Sequence, residues 1–209
     1  QINPSRILDI GAGEGKYGRM IRTAGFKDWH LTAVEYEAGR RNELIELGYN
    51  EVRCQSAMDL MQSPAEAFEV VILGDVIEHF RKSEGQDLLE YLNYRAAYIF
   101  VITPESMPMS LANFYEGHNS LWRPQAMHWH DYWAHCRNGQ MHFYLLRGLL
   151  AGNGIRLDTL IQAANAQGFM QYKNNPNQTG HPRVLALHNA QSTDPVLEKP
   201  NEIWLYRPQ

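Results

Sequence analysis

The chain has 209 residues, 44% of them hydrophobic and 20% charged, proportions that suit one globular domain able to bury a core without staples. Apolar runs such as Val70 to Leu73 are far too short to cross a bilayer, and a formal net charge of -4 with a pI near 6.1 removes any global attraction to nucleic acid or anionic lipid. Two cysteines, Cys54 and Cys136, make no disulfide framework, and the opening Gln-Ile-Asn-Pro lacks the basic-then-apolar order of a leader. The expectation is a soluble cytoplasmic protein; residue 1 is not Met, which leaves room for a preceding segment.

Arg6 to Ile10 reads as a strand and Lys16 to Ala24 as a helix stopped by Gly25. Leu31 to Val34 predicts a second strand, Ala38 to Leu47 a helix closed by Gly48, and Glu51 to Cys54 a short third strand. Glu69 to Leu73 is apolar enough for a central strand buried on both faces. A helix from Glu84 to about Tyr94 and a strand from Tyr98 to Ile102 follow. Strands alternating with helices predict a parallel sheet covered by helices. Between Pro104 and Gly154 the period is lost and Met, His, Trp, Tyr and Asn dominate; long connections of this kind are usually functional. Pro124 predicts a helix running to about His135, and His142 to Leu150 another, ended by Gly152-Asn153-Gly154. A last helix spans Leu157 to Gln167, and strands near Phe169 to Tyr172 and Ile203 to Tyr206 flank a long polar connection.

The strongest signal is Asp9-Ile10-Gly11-Ala12-Gly13-Glu14-Gly15, where the first strand turns into the first helix. Glycines permit the tight turn and let a ligand approach bare backbone, while the helix start offers unpaired N–H groups. A dinucleotide dehydrogenase wants G-x-G-x-x-G, but position 16 is Lys16. The G-x-G-x-G spacing after Asp9 instead resembles the first motif of class I S-adenosylmethionine-dependent methyltransferases. That resemblance implies an α/β fold: a Rossmann-like three-layer sandwich with a mostly parallel seven-stranded sheet, its last strand antiparallel, plus a mixed insertion after strand 5. Residues 1–209 would form one domain, with 104–154 as a substrate cap.

The resemblance further implies that Gly11, Ala12, Gly13 and Gly15 wrap the methionine and ribose of S-adenosylmethionine while Asp9 helps hold its amino group. Glu35, ending the second strand, can accept both ribose hydroxyl hydrogen bonds, and Tyr36 is placed to stack on adenine. The family usually shows an Asp-Ala pair after the third strand; here Gln55-Ser56-Ala57-Met58 stands there, with Ser56 in place of the acid. Backbone N–H groups of Ala57 and Met58 are then the expected adenine contacts. Gly74-Asp75-Val76-Ile77-Glu78-His79-Phe80 resembles the D-x-x-E-H segment of small-molecule methyltransferases, which puts Gly74, Asp75 and Val76 against the cofactor.

If the methyl acceptor is a hydroxyl, a base must remove its proton, and histidine suits that near neutrality. His79 is the first candidate, beside the cofactor. His118, in Glu116-Gly117-His118-Asn119-Ser120-Leu121-Trp122-Arg123-Pro124, resembles part of an E-x-H-x-S-x-W-x-P pattern of bacterial polysaccharide and secondary-metabolite methyltransferases. His128 and His130 lie among aromatics able to line a mostly apolar pocket. On a helix His128, Asp131 and His135 would share a face, but with no HExxH or paired CxxC no metal is expected. Ubiquinone-biosynthesis and small-RNA 2′-O-methyltransferases have a similar E-x-x-E-H arrangement with metal, and that resemblance would join Asp75, Glu78 and His79 with a downstream His; its first position is Asp75 here. The expected activity is methyl transfer to an O or N atom of a small-molecule or sugar-linked acceptor. The alternatives are a non-catalytic S-adenosylmethionine-binding scaffold and a metal-assisted RNA 2′-O-methyltransferase, the latter disfavoured by the acidic charge. Beyond the acceptor, the partner compatible with the sequence is a second copy of the chain.

Overall fold

A computed structural model describes residues 5–64, 66–106, 117–130, 133–152, 185–189 and 203–207. Its strands are β1 (Arg6–Ile10), β2 (His30–Glu35), β3 (Glu51–Cys54), β4 (Phe68–Gly74), β5 (Ala96–Pro104), β6 (Trp133–Asn138), β7 (Met141–Arg147), β8 (Leu185–Asn189) and β9 (Ile203–Arg207), with helices α1 (Lys16–Thr23), α2 (Arg41–Glu46) and α3 (Lys82–Asn93). They form one sheet in the order β3-β2-β1-β4-β5-β7-β6-β9-β8. β1 to β5 are parallel, β7 is antiparallel to both β5 and β6, and β9 is antiparallel to β6 and parallel to β8. The first seven strands, ordered 3-2-1-4-5-7-6, carry the expected Rossmann-like architecture. No helix among the described residues is long and apolar enough to cross a membrane.

Alternation along the buried strands feeds two cores. Leu8, Ile10, Val71, Leu73, Ile99 and Val101 face α3, whose Leu88, Leu89 and Leu92 pack with Trp122 and Met127. Ile7, Leu31, Ala33, Val70 and Ile72 face Leu44 and Tyr49 on the other side. Each large side chain so buried contributes about 1.5–3 kcal/mol. Chain order runs outward from β1 to β3 and returns through β4 to β5, so the sheet reverses direction between β1 and β4. In such sheets ligands lie in the crevice beyond the carboxyl ends of the strands at that point.

The stretch after β5 differs from its sequence reading. Pro124 opens only one 3-10 turn, Pro124–Met127, not a helix to His135, and His142 to Leu150 is chiefly strand β7 rather than helix. The physical reason is the Asn138-Gly139 step: Gly139 has φ +59, the conformation a tight hairpin turn demands, and it folds β7 back on β6. His142, Tyr144 and Leu146 are buried while Phe143 is exposed, a period of two. His128 and His135 therefore share no helix face. β8 falls within the connection read as polar, and β9 sits where the last strand was expected. The helix expected at Leu157 to Gln167 and the strand near Phe169 to Tyr172 lie outside the described residues.

Candidate active site

Gly11, Gly13 and Gly15 all adopt positive φ, of +67, +52 and +69, which only glycine enters freely. A Cβ on Gly11 would come within 2.4 Å of Val76 Cγ2, so the turn after β1 lies directly against the turn after β4. A Cβ on Gly13 would meet nothing nearer than Gly11 O at 3.9 Å; its backbone faces open space. Gly11 and Ala12 donate to Val34 O at 2.8 and 3.3 Å. Gly13 N donates to Glu35 Oε2 at 2.7 Å, and Glu37 N to Glu35 Oε1 at 2.9 Å. Glu35 thus ties the turn to the end of β2, and each of its oxygens keeps a second lone pair. Tyr36, alongside, is 64% exposed.

Asp9 is buried beneath the turn. The Tyr49 hydroxyl donates to its Oδ2 and accepts from Gly18 N at 3.0 Å. Asp9 Oδ1 is buried without a hydrogen bond among the described residues. Burial, partly offset by the Tyr49 bond and reinforced by the Glu35 charge, pushes the Asp9 carboxyl up to about 7. Beyond β3, Ser56 caps the turn Ala57–Gln62: its Oγ accepts from Met58 N at 3.2 Å, and its own N–H donates to Asp59 Oδ2 at 3.1 Å. The Met58 N–H expected to face adenine is thus engaged by this cap, and Ala57 is buried.

At the end of β4, Asp75 has φ +56, the only described non-glycine residue with positive φ, a strained conformation that clusters at functional sites. Its carboxylate lies 3.6 Å from Lys16 Nζ. Glu78 is 1% exposed, its Oε2 accepting from Thr103 Oγ1 at 3.1 Å, and burial pushes it up to about 7. The Glu78 carbonyl accepts from Asn119 N and Ser120 N at 2.7 and 3.1 Å, which fastens residues 119 and 120 to this turn.

That fastening brings His79 and His118 together, their rings edge to face at 5.0 Å. His79 Nδ1 lies 3.2 Å from Gly117 O and His118 Nδ1 2.7 Å from Ser106 O. A carbonyl only accepts, so in the neutral form of each ring Nδ1 carries the proton and Nε2 the lone pair. One ligand atom from each of Glu78, His79 and His118 lies within 4.8 Å of the others, a grouping with the composition of a metal site although none was expected. The other two candidates lie elsewhere. His128 is exposed, its ring 6.2 Å from Trp133, and His130 Nε2 lies 3.2 Å from Asn93 Oδ1 at the end of α3, near the start of β5 rather than its carboxyl end.

Residues missed in the sequence are Tyr17, Thr103 and Glu105. Tyr17 follows the third glycine by two positions and reaches Gly74, where a Cβ would stand 2.3 Å from its hydroxyl. Thr103 and Glu105 border the carboxyl end of β5, and that placement is the one signal available for them. Glu105 also anchors a buried chain: His142 Nε2 lies 3.3 Å from Glu105 Oε2, and His135 Nε2 lies 2.9 Å from His142 Nδ1.

Residues 1–169 match the family described as methyltransferase domain. No curated protein sequence matches the chain. Among solved structures, a SAM-dependent methyltransferase from Archaeoglobus fulgidus is 17% identical with a TM-score of 0.54, covering 69% of this chain and 86% of its own. The plantazolicin methyltransferase BamL, in complex with a triazolic desmethylPZN analog and SAH, is 14% identical with a TM-score of 0.50, covering 69% and 77%. An O-methyltransferase family 2 protein from Planctomyces limnophilus, in complex with apigenin, is 11% identical with a TM-score of 0.53; the match covers 69% of this chain but 51% of that longer one. With a family match over most of its length and the 3-2-1-4-5-7-6 sheet, the chain belongs to the methyltransferase-domain family, in the class I S-adenosylmethionine-dependent fold.

Proposed function

We propose that the protein transfers a methyl group from S-adenosylmethionine to an oxygen or nitrogen of a small-molecule or sugar-linked acceptor. The observation carrying this reading is the open backbone at Gly13, held by Glu35 beside the switch point of the sheet. The residues fit the donor: Gly13 leaves a cradle that a side chain would fill, and the Glu35 oxygens have lone pairs left for ribose hydroxyls. Tyr36 offers an exposed ring for adenine. When bound, the donor supplies a methyl group activated by a cationic sulfur and open to in-line displacement.

The chain's own work is then alignment and proton removal. Orientation of two reactants can supply much of the barrier reduction. His79 or His118, each with its lone pair at Nε2, takes the acceptor proton, and residues 117–130, fastened through Glu78, cover the acceptor side. Incubation with methyl-labelled donor and a panel of hydroxylated and aminated small molecules tests this. Label transfer should fall at least 100-fold in His79→Ala or His118→Ala; full turnover in both variants would contradict a histidine base.

A second reading is favoured by the cluster of Glu78, His79 and His118. Carbonyl-bound Nδ1–H groups fix the lone pairs at Nε2, as in many histidine ligands of metals. These three side chains would hold a divalent cation able to polarise an acceptor hydroxyl. Calorimetric titration with Mn²⁺ should then give saturable heat in the wild type and none in His118→Ala; no heat in either leaves the base reading.

A further inference from the structure

Beyond the carboxyl end of β5 two arginines converge on one carboxylate. The register pairs Pro104 with Met141, so the β6–β7 turn stands at the same end of the sheet as the donor crevice, and Glu105 N donates to Gln140 O in that turn at 2.6 Å. Glu105 Oε1 lies 2.5 Å from Arg123 Nε, while Glu105 Oε2 lies 2.9 Å from Arg137 Nη2 and 3.3 Å from His142 Nε2. The carbonyl of the next residue, Ser106, is the partner of His118 Nδ1, which puts the cluster one residue from the anchor of a candidate base.

The charges of this cluster do not cancel. Burial works against the Glu105 carboxylate, but the His142 bond, the Arg137 charge and the bond and charge of Arg123 outweigh it and hold its pKa below the usual carboxylate range. Glu105 is therefore ionised, and two guanidinium charges face its one, a positive surplus in a chain of formal net charge -4. Lys82 Nζ, 3.4 Å from the centre of the adjoining Trp122 ring, adds to that sign. Arg137, whose Nε also donates to Gly139 O at 2.9 Å, already supplies the countercharge that Glu105 needs. Arg123 is the member open to a ligand, with 58% of its side chain exposed. A guanidinium carries five N–H donors in a planar fork, and Glu105, its one ion-pair partner among the described residues, leaves most of them over.

We propose that Arg123 is a specificity residue that binds an anionic group, a carboxylate or a phosphate, carried by the methyl acceptor. The proposal rests on the methyltransferase reading and narrows its acceptor class: the acceptor bears an oxygen or nitrogen nucleophile and, apart from it, an oxyanion. A guanidinium meets either oxyanion with two parallel hydrogen bonds, which fixes orientation as well as charge. Orientation is what an in-line transfer needs.

The experiment is calorimetric titration of wild type and Arg123→Gln, each saturated with S-adenosylhomocysteine, with phenyl phosphate, benzoate and uncharged benzyl alcohol. In the wild type at least one anion should bind saturably and at least about tenfold tighter than the alcohol. Phenyl phosphate leads for a phosphorylated acceptor and benzoate for a carboxylic acid. Arg123→Gln should lose at least about tenfold in affinity for that anion, yet bind S-adenosylhomocysteine within about twofold of wild type, which also shows that the variant is folded. No saturable anion binding in the wild type, equal affinity for the alcohol, or an anion affinity unchanged in the variant would overturn the proposal. A wild type that fails to bind S-adenosylhomocysteine would instead overturn the methyl-donor reading, and this inference with it.

Discussion

At Gly13 the backbone conformation and the empty space beyond it point the same way. A φ of +52 costs an L-residue about 1–2 kcal/mol, and an added methyl group would project into the ligand crevice rather than into protein. Gly13→Ala should therefore lose no more stability than that in urea denaturation, yet bind S-adenosylmethionine at least tenfold more weakly. A variant with unchanged affinity would show that the donor does not approach this backbone. The turn and Glu35 were legible in the sequence because glycine spacing and a strand-end acid constrain geometry directly. Tyr17 was not, since a tyrosine on a short helix reads as core until its hydroxyl is seen against Gly74. His130 illustrates the converse: its residue type suggests chemistry, and only the fold reveals that it meets Asn93, far along β5 from Glu78.

The elements divide in the same manner. β1, β2, β4 and β5 were readable because each holds a short apolar run, and β3, Glu51-Val52-Arg53-Cys54, through its place after the Gly48 helix stop. β6 and β7 were not, because their aromatic and histidine side chains suit helical spacing as well as alternation; Asn138-Gly139 is the signal that decides between them. Between β5 and this hairpin, Trp122 ties its own segment to the body of the fold. Its indole N–H donates to Ser120 Oγ at 2.8 Å and Ile77 O at 3.2 Å, its ring lies where a Cβ of Gly85 would be 2.4 Å from Cζ2, and Lys82 Nζ sits 3.4 Å from the ring centre. Trp122→Ala should cost about 3–5 kcal/mol of unfolding free energy, measured by urea denaturation. A loss under 1 kcal/mol, on the order of a surface change, would mean that Trp122 is not packed on α3 as described.

Across the molecule, buried titratable groups set opposing pH dependences. Burial, with the charges of His142 and Arg137, holds His135 down to about 3, while an unfolded histidine titrates near 6.5. Below about pH 6.5 the unfolded chain gains a proton that the folded chain refuses, so this group alone removes about 1.4 kcal/mol of stability per pH unit on the way to pH 3. Asp9 and Glu78, raised to about 7, act oppositely: their contribution is complete at low pH and is lost as pH rises through 7. The difference between wild type and His135→Phe isolates the histidine. From pH 6 to pH 5 the wild type should lose about 1 kcal/mol more unfolding free energy than the variant; parallel profiles would show His135 to be protonated in the fold.

The sheet order brings the turn of β1, the end of β2 and the strained end of β4 to one crevice, and the donor's place there is most directly tested by calorimetric titration of the wild-type protein and Glu35→Gln with S-adenosylmethionine. The account predicts saturable binding of one donor per chain, weakened at least tenfold in the variant. No heat at millimolar donor, or equal affinity for both proteins, would contradict it.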